Sequence, residues 1–331
     1  MSERHPQRTV VVTGASAGVG RAVALEFAQH GWRVATIARS ADGLNSLRQE
    51  IESSGGEAAD FPLDVAEAPA VFRAAEQIVA RWGVIDIWIN NAMVTMYSPV
   101  AKMSPEEFRR ITEVTYLGYV HGTMAALMHM RRRNAGTIVQ VGSALSYRAI
   151  PLQSAYCGAK FAVRGFTDAL RSELLHDESA ISLTMVQLPA VNTPQFDWAR
   201  NKMERRAQPV PPVYQPEAVA KAIFQAACFP RREFWLGLPT LKAIAATIAA
   251  PTLMDRYLAR NAYKGQITDE PQPADTSDNL FDTPPAGHVT RGRFDDRARS
   301  HIRVFNPAAL RGWLAALVIA GVGAMFAAVF N

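Results

Sequence analysis

Three residues that could move a proton lie close together in the chain. Tyr156 and Lys160 are four positions apart, so a helix would place them on one face, and Ser143 lies thirteen positions before the tyrosine. A free tyrosine titrates near pH ~10, which is too high for efficient proton exchange at neutral pH. A lysine ammonium about 4 Å away would favour the phenolate by on the order of 1–4 kcal/mol. The trio predicts a tyrosine general acid or base, with Ser143 holding the substrate oxygen by a hydrogen bond.

A glycine-rich turn near the start of the chain is the second element. It reads Thr-Gly-Ala-Ser-Ala-Gly-Val-Gly over residues 13–20, with the spacing Gly-x-x-x-Gly-x-Gly. The apolar run before it, Thr9–Thr13, is typical of a buried strand, and residues 21–27 after it have helical spacing. A strand, a glycine turn and a helix allow backbone N–H groups and a helix N-terminus to approach a pyrophosphate. The turn and the Ser, Tyr and Lys residues together predict hydride chemistry on a nicotinamide cofactor.

In these motifs the chain resembles the short-chain dehydrogenase/reductase family, over roughly residues 7–240. The resemblance implies that Lys160 also holds the nicotinamide ribose hydroxyls. The stretch Asn90-Asn91-Ala92 is similar to the family's Asn-Asn-Ala-Gly motif, which shapes the adenosine side of the site, with Met93 in place of the glycine.

Two further segments resemble cofactor-contacting motifs of that family. Asp64-Val65 resembles a pair of residues after the third strand of the family, whose acidic member contacts the adenine. Residues 189–193 resemble the family's Pro-Gly-x-x-Thr, with Ala190 where glycine is usual, and Thr193 would bind the nicotinamide carboxamide. The predicted cofactor-binding residues are Gly14, Ser16, Ala17, Gly18, Val19, Gly20, Arg39, Ser40, Asp64, Val65, Asn91, Ala92, Tyr156, Lys160, Pro189, Val191 and Thr193.

A threonine stands where the family usually has an asparagine. The matching stretch is residues 113–118, which places Thr115 at that position. In the family, the asparagine positions a water that links the lysine to bulk solvent. A threonine hydroxyl can donate and accept, but its reach is shorter. We therefore predict Thr115 as a member of the catalytic set, with a proton relay that is slower or uses another path.

The end of the second predicted strand bears on the choice of cofactor. An acidic residue there would bind the ribose 2′-hydroxyl of NAD and repel a 2′-phosphate, whereas this chain has Arg39 and Ser40. Arginine pairs well with phosphate. The prediction is NADP(H) rather than NAD(H), and the alternative is a solvated Arg39 in a site of dual specificity.

Alternating strand and helix patterns up to about Leu238 predict one α/β domain with a Rossmann-type, doubly wound parallel sheet. We predict a catalytic domain at 1–240, an accessory helical segment at 241–264, a disordered linker at 265–306 and a membrane anchor at 307–331. Within the accessory segment, Leu241–Leu258 fits a docked helix, a substrate-entrance flap or a shallow membrane contact. The predicted strands are Thr9–Thr13, Arg33–Ala38, Ala58–Leu63, Ile85–Asn90, Thr137–Ser143, Ser182–Leu188 and Glu233–Gly237.

The last residues predict attachment to a membrane. Trp313–Phe330 is a run of eighteen residues without charge, and as a helix it would span roughly 27 Å, close to the hydrocarbon thickness of a bilayer. Many alanines and glycines make the run modestly hydrophobic, so it predicts attachment more firmly than full spanning. A buried core helix or a partner-binding helix is the alternative.

The residues before this run predict a linker whose charge changes sign. They are rich in Pro, Asp and Thr and poor in periodic apolar residues, as disordered segments are. Acidic residues come first, and an arginine-rich stretch from Arg291 to Arg311 follows. Basic residues beside an apolar helix suit anionic lipid head groups and mark the cytoplasmic side. A solvated tail is the alternative; nothing else in the chain supports nucleic-acid binding.

Composition excludes two classes of site. The 331 residues include only two cysteines, Cys157 and Cys228, which fits a reducing compartment without a disulfide framework. The seven histidines show no metal-binding spacing, so we predict no metal.

Two functions fit the sequence. The first is an NADP(H)-dependent oxidoreductase that interconverts a carbonyl and a secondary alcohol, on a substrate that membrane tethering suggests is lipophilic. The second is a membrane-tethered nucleotide-binding scaffold or redox sensor with little turnover, which the departures at Thr115, Met93 and Ala190 motivate. The family resemblance also implies a homodimer or homotetramer, formed through the helices around Pro105–Arg131 and Tyr156–Leu175.

Overall fold

The computed structural model describes residues 7–273 and 276–308. Its strands are β1 Thr9–Thr13, β2 Arg33–Ala38, β3 Glu57–Pro62, β4 Ile87–Asn90, β5 Met96–Tyr97, β6 Thr137–Ser143, β7 Ser182–Leu188, β8 Arg200–Asn201, β9 Arg205–Ala207, β10 Val213–Tyr214, β11 Glu233–Leu236, β12 Ile267–Pro271, β13 Ala298–Arg299 and β14 Val304–Phe305.

The α-helices are α1 Gly18–Gln29, α2 Ala41–Ser53, α3 Ala68–Trp82, α4 Pro105–Thr112, α5 Gly118–Met130, α6 Ser154–His176, α7 Gln195–Trp198, α8 Pro216–Cys228, α9 Gly237–Ala249 and α10 Pro251–Gln266. Short 3₁₀ turns lie at Val100–Lys102, Arg131–Arg133 and Ala144–Ser146, and a π-helical turn joins α4 to α5 at Glu113–Leu117.

The central sheet is the predicted parallel, doubly wound one. Its order is β14-β11-β7-β6-β4-β1-β2-β3, and the strands from β11 to β3 all run parallel. The chain winds outward in both directions from β1 and β4. The point where the strand order reverses is where such sheets form a ligand crevice, at the carboxyl ends of the strands.

Both faces of the sheet are covered, which explains the continuous apolar runs of its strands. Every residue of β1 is buried. Val10 and Val12 pack in one core with residues of α1, α2 and α8, whereas Val11 packs in a second core with residues of α3, α5 and α6. The alternation follows from successive side chains pointing to opposite faces of a strand.

The predicted strands all form, with small differences at their ends. The third strand begins at Glu57 and ends at Pro62, the fourth begins at Ile87, and the last ends at Leu236 because Gly237 opens α9. An eighth strand, β14, adds antiparallel to the edge of the sheet and was not predicted. At two residues it is too short to show an alternating pattern.

The prediction of a disordered linker at 265–306 is wrong for the part of that segment that the structure describes. There, β12 pairs with β9 and β13 pairs with β10. The side chains of Leu280 and Phe294 are buried at 0% and 5% exposure. Two buried side chains and backbone hydrogen bonds to the domain hold the segment in place, so its order does not depend on periodic apolar residues.

The accessory segment forms helices α9 and α10, and Pro251 starts the second of them. The predicted membrane anchor, 307–331 with its apolar run Trp313–Phe330, lies outside the described residues except for its first two positions. Within 7–273 and 276–308, no helix is both long enough and apolar enough to cross a bilayer.

Candidate active site

The glycine turn connects β1 to α1 and lies against the segment that follows β4. Gly14 has a φ of +68°, which favours glycine. A Cβ atom on Gly20 would lie 2.1 Å from the carbonyl oxygen of Gly14, so that position accepts no larger residue without movement. The Thr13 hydroxyl accepts hydrogen bonds from the backbone N–H groups of Asn91 and Ala92, at 2.9 and 3.0 Å. These bonds fix the turn against the Asn-Asn-Ala segment.

Ser143 lies at the end of β6, where the chain leaves the sheet. Its Oγ accepts a hydrogen bond from the backbone N–H of Leu145 at 3.1 Å and caps the short turn that follows. The Ser146 hydroxyl accepts from the Ser143 backbone N–H at 3.3 Å. The cap fixes the position of the serine oxygen and leaves its own hydrogen available for donation.

Tyr156 and Lys160 share one face of α6, as their spacing predicts. The Lys160 ammonium lies 5.7 Å from the centre of the Tyr156 ring. It donates to the Tyr119 hydroxyl and to the Val141 carbonyl oxygen, both at 2.8 Å. Burial lowers the pKa of Lys160 to about 7, since the charged form loses its hydration.

The expected lowering of the tyrosine pKa is not what the structure shows. Burial of the Tyr156 phenol raises its pKa above the ordinary value, and a hydrogen bond with Ser143 opposes that rise only in part. The expectation left out desolvation of the phenolate, which is the larger effect. Burial therefore keeps Tyr156 a protonated phenol at neutral pH.

Thr115 does not reach the space around these residues. It lies in the π-helical turn at Glu113–Leu117 and is fully buried. Its hydroxyl donates to the Val94 carbonyl at 2.8 Å and accepts from the Val94 N–H at 3.0 Å. The donor and one of the two acceptor positions of the hydroxyl are used by Val94, so Thr115 positions the chain after β4.

One cavity of about 570 Å³ brings the other predicted residues together. Ser143 and all seventeen predicted cofactor-binding residues line it. The cavity opens at the carboxyl ends of the parallel strands, where the strand order reverses, as expected for this sheet. The lining includes the glycine turn, the Ser–Tyr–Lys set and residues of α9 and α10, which suits a dinucleotide with a substrate beside it.

Arg39 extends from the end of β2 into a wall of this cavity. Its guanidinium donates to the backbone carbonyls of Phe281 and Asn279, at 2.8 and 2.5 Å. Burial lowers its pKa, and the nearby Asp64 carboxylate opposes that change. Two of its five N–H groups are used, so the remaining donors are available to an anion.

Asp64 is placed at the cavity but is already paired. It forms an ion pair with Arg110 and accepts a hydrogen bond from the backbone N–H of Ala66 at 2.9 Å. Arg110 also donates to the carbonyl of Leu280 at 3.0 Å. An adenine would therefore meet a carboxylate that is held in place by an arginine.

Several residues of the site belong to no sequence motif. Tyr119, which holds Lys160, lies on α5 without a motif of its own. Gln153 is buried beside the catalytic set, where its side-chain N–H donates to Gln266 at 2.8 Å. Two groups of cavity residues come from the C-terminal third, and they are Pro239, Thr240, Lys242, Ala243, Met254, Tyr257 and Leu258 on α9 and α10, and Asn279, Thr283, Pro284 and His288 further on.

The two cysteines are separate from this chemistry. Cys157 is buried, and burial raises its pKa to about 11, so it is an unreactive thiol. Within residues 7–273 and 276–308, no group of three or more His, Cys, Asp or Glu side chains could hold a metal ion.

Known proteins are similar to this chain in sequence and in fold. A family model described as short chain dehydrogenase matches residues 8–204. An uncharacterized oxidoreductase of Bacillus subtilis, YxnA, is 32% identical over 324 residues, which cover 97% of this chain and 90% of the relative. A putative oxidoreductase of Mycobacterium tuberculosis, SadH, is 37% identical over 186 residues, which cover 56% of this chain and 67% of the relative.

A solved structure agrees with these relatives. An alcohol dehydrogenase from the archaeon Thermococcus sibiricus, complexed with 5-hydroxy-NADP, is 26% identical with a TM-score of 0.59, and the match covers 69% of this chain and 95% of that one. The chain belongs to the short-chain dehydrogenase/reductase family, and it is an oxidoreductase of that family.

Proposed function

We propose that the protein is an NADP(H)-dependent oxidoreductase that interconverts a carbonyl and a secondary alcohol on a lipophilic substrate. One observation supports this most: Ser143, Tyr156 and Lys160 line the same cavity as the glycine turn and Arg39. A reduced nicotinamide, when bound, supplies a hydride to the carbonyl carbon. The protein must then orient the carbonyl and supply one proton to its oxygen.

The side chains of the cavity are suited to those two tasks. The Ser143 hydroxyl, fixed by its bond to the Leu145 N–H, donates to the substrate oxygen. The Tyr156 phenol carries the proton, because its raised pKa keeps it protonated at neutral pH. The Lys160 ammonium, held by Tyr119 and Val141, offers its third hydrogen toward the cofactor and stabilises the phenolate that forms.

Substitution of Tyr156 tests the reaction directly. We expect Tyr156→Phe to bind NADPH as the wild type does and to lose carbonyl reduction by roughly 10²–10⁴-fold, the usual contribution of a general acid. Tyr263→Phe, at a half-exposed position on α10, is the matched control and should be active. Binding of NADPH without turnover by the wild type, across a broad panel of aldehydes and ketones, would favour the nucleotide-binding scaffold instead.

The proposal of NADP(H) rests on Arg39 and Ser40, which follow β2 where an acidic residue would favour NAD. The Thermococcus sibiricus relative in complex with 5-hydroxy-NADP is consistent with it. A comparison of NADPH and NADH affinity, by quenching of tryptophan fluorescence, tests the preference. Equal affinity for the two nucleotides would contradict it.

The lipophilic substrate is proposed from the part of the cavity beyond Tyr156. Two of the polar side chains that line this part are engaged elsewhere: Arg148 pairs with Asp255 at 2.5 Å, and Gln153 bonds to Gln266. The apolar side chains there are Met93, Leu145, Ile150, Val210, Ala243, Met254 and Leu258.

A homologous series of methyl ketones tests this part of the proposal. Burial of each added methylene contributes about 0.8 kcal/mol, so kcat/KM should rise roughly four-fold per carbon until the cavity is filled. A flat or falling series would argue for a polar substrate.

Membrane attachment through 307–331, with the catalytic domain on the cytoplasmic side, is proposed from the apolar run Trp313–Phe330 and the arginines before it. Extraction of membranes with alkaline carbonate would compare the full chain with one ended after Ala308. We expect only the full chain to stay with the membranes. Equal release of both would exclude the anchor.

A homodimer or homotetramer is proposed from the surface of α4, α5 and α6. These helices expose apolar side chains to water, at Phe108, Met124, Met128 and Phe161. Such a patch is typical of a protein interface. Light scattering should give a dimer or tetramer for the wild type and a smaller species for Met124→Lys with Phe161→Glu. A monomeric wild type would contradict the proposal.

A further inference from the structure

The segment 276–296, the strap, crosses the part of the cavity lined by Arg39 and the glycine turn. It is held at both sides of the crevice by residues already assigned to nucleotide binding. Arg39 donates to the carbonyls of Asn279 and Phe281, and the backbone N–H of Gly18 in the glycine turn donates to the carbonyl of Val289 at 2.9 Å. The strap therefore contacts the two elements that would bind the phosphates.

The strap is a built part of the wall and is anchored in the core. Leu280 is fully buried in the same apolar cluster as residues of α3 and α5. Its carbonyl accepts from Arg110 at 3.0 Å, and the Asn279 N–H donates to the carbonyl of Trp198 at 2.9 Å. The backbone N–H of Phe294 donates to the Asn192 side chain at 3.1 Å, next to the predicted nicotinamide-binding Thr193 in the chain.

His288 lies beside the residues that follow β2. Its Nε2 lies 3.0 Å from the Ser40 hydroxyl oxygen, next to Arg39. A Cβ atom on Gly43 would be 2.8 Å from His288 Cγ and 2.9 Å from Ser16 Cβ. The imidazole thus lies between the first turn of α2 and the glycine turn, and it lines the cavity.

Among the buried polar atoms of the strap, two that belong to cavity-lining residues have no hydrogen-bond partner within the described residues. They are His288 Nδ1 and Asn279 Oδ1. Unpaired buried polar atoms destabilise a fold by about 1–3 kcal/mol each, so they indicate a ligand or a function. Both residues line the cavity, on the side where Arg39 and Ser40 are found.

We propose that the strap is a third element of the cofactor site, and that His288 joins Arg39 and Ser40 in binding the phosphate on the adenosine ribose. This inference rests on the proposed NADP(H) dependence and adds to it a residue that determines specificity. It also requires the strap to cover the bound nucleotide.

The first test compares four nucleotides, NADPH, NADH, 2′,5′-ADP and 5′-AMP, on the full-length protein. The loss of a hydrogen bond to a charged phosphate should weaken binding of NADPH and 2′,5′-ADP to His288→Ala by roughly 10- to 100-fold. Binding of NADH and 5′-AMP should change less than about two-fold. His301→Ala, at an exposed histidine of the same C-terminal segment, is the matched control and should bind all four like the wild type.

The outcomes distinguish a failure of the His288 assignment from a failure of the proposed NADP(H) dependence. Equal weakening of all four nucleotides, or no weakening of any, would overturn the role of His288 while NADPH binding by the wild type stands. A wild type that binds no nucleotide, or that prefers NADH, would refute the cofactor assignment itself, and the inference with it.

A second measurement uses the wild type alone and does not depend on how the variant folds. Arg291 lies in the strap with its side chain half exposed, so trypsin can cleave after it when the strap opens. Saturating NADPH or 2′,5′-ADP should slow that cleavage at least about five-fold, and 5′-AMP should slow it less. Cleavage at the same rate with and without NADPH would show that the strap does not cover the nucleotide.

Discussion

The buried lysine of the site should make the protein less stable below neutral pH, and Lys160→Met should remove that effect. Burial lowers the pKa of Lys160 from 10.5 to about 7 in the folded chain. Between these two values the unfolded chain binds one proton more than the folded chain, so the free energy of unfolding rises with pH there. Below about pH 7 both states are protonated, and the full penalty of the buried charge is present.

The size of the effect follows from the two pKa values. Each unit of difference corresponds to ~1.4 kcal/mol, so the wild type should gain about 3 kcal/mol between about pH 6.5 and pH 9.5 from this residue alone. Lys160→Met lacks the titrating group, and we expect it to keep the hydrogen bond that the Tyr119 hydroxyl donates to the Val141 carbonyl, at 2.9 Å in the wild type. The quantity to compare is the free energy of unfolding of the variant minus that of the wild type. This difference should be about 3 kcal/mol larger at the lower pH than at the higher pH.

Urea denaturation of the nucleotide-free proteins at the two pH values measures this double difference. All other ionisable groups are common to both proteins and cancel. Lys221→Met, at an exposed position on α8, is the control and should show no such pH dependence. The reasoning is refuted if the difference between Lys160→Met and wild type is the same at both pH values, since Lys160 would then keep its charge without penalty.

Three further predictions concern the residues that support the site. Gly20→Ala would place a Cβ 2.1 Å from a backbone oxygen of the turn, so we expect a loss of about 1–3 kcal/mol in stability and weaker nucleotide binding. The control is Gly158→Ala, which has nothing within 4 Å of its Cβ position. In thermal melts it should stabilise α6 by up to about 1 kcal/mol. Thr115→Val removes the hydroxyl that bonds to the N–H and carbonyl of Val94, so it should lower the free energy of unfolding, measured by urea denaturation, by about 1–3 kcal/mol. Thr115→Ser keeps the hydroxyl and should lose less stability. Equal stability of the two variants would contradict the structural role of Thr115. Cys157, with a pKa raised to about 11, should resist iodoacetamide at about pH 8 until the protein is unfolded, as followed by mass spectrometry, and rapid labelling of the native protein would show that the thiol is accessible.

Local patterns in the sequence predicted the strands well because burial determines them. Thr9–Thr13, Arg33–Ala38, Thr137–Ser143 and Ser182–Leu188 have the predicted bounds, since strands covered on both faces need continuous apolar runs. The glycine turn and the four-residue spacing of Tyr156 and Lys160 are equally local. Their geometry follows from backbone conformation and helix periodicity.

The sequence by itself therefore determined the family, the parallel sheet and the residues that line the cavity around the turn. Tertiary structure decided what holds them. Tyr119 is 41 positions from Lys160, and the partners of Arg39 are carbonyls 240 and 242 positions away. A backbone carbonyl is the same in every residue, so no side-chain pattern marks the one that an arginine will find. The sequence predicts disorder for the strap because its composition is polar. Its order comes from contacts that exist only once the domain has folded.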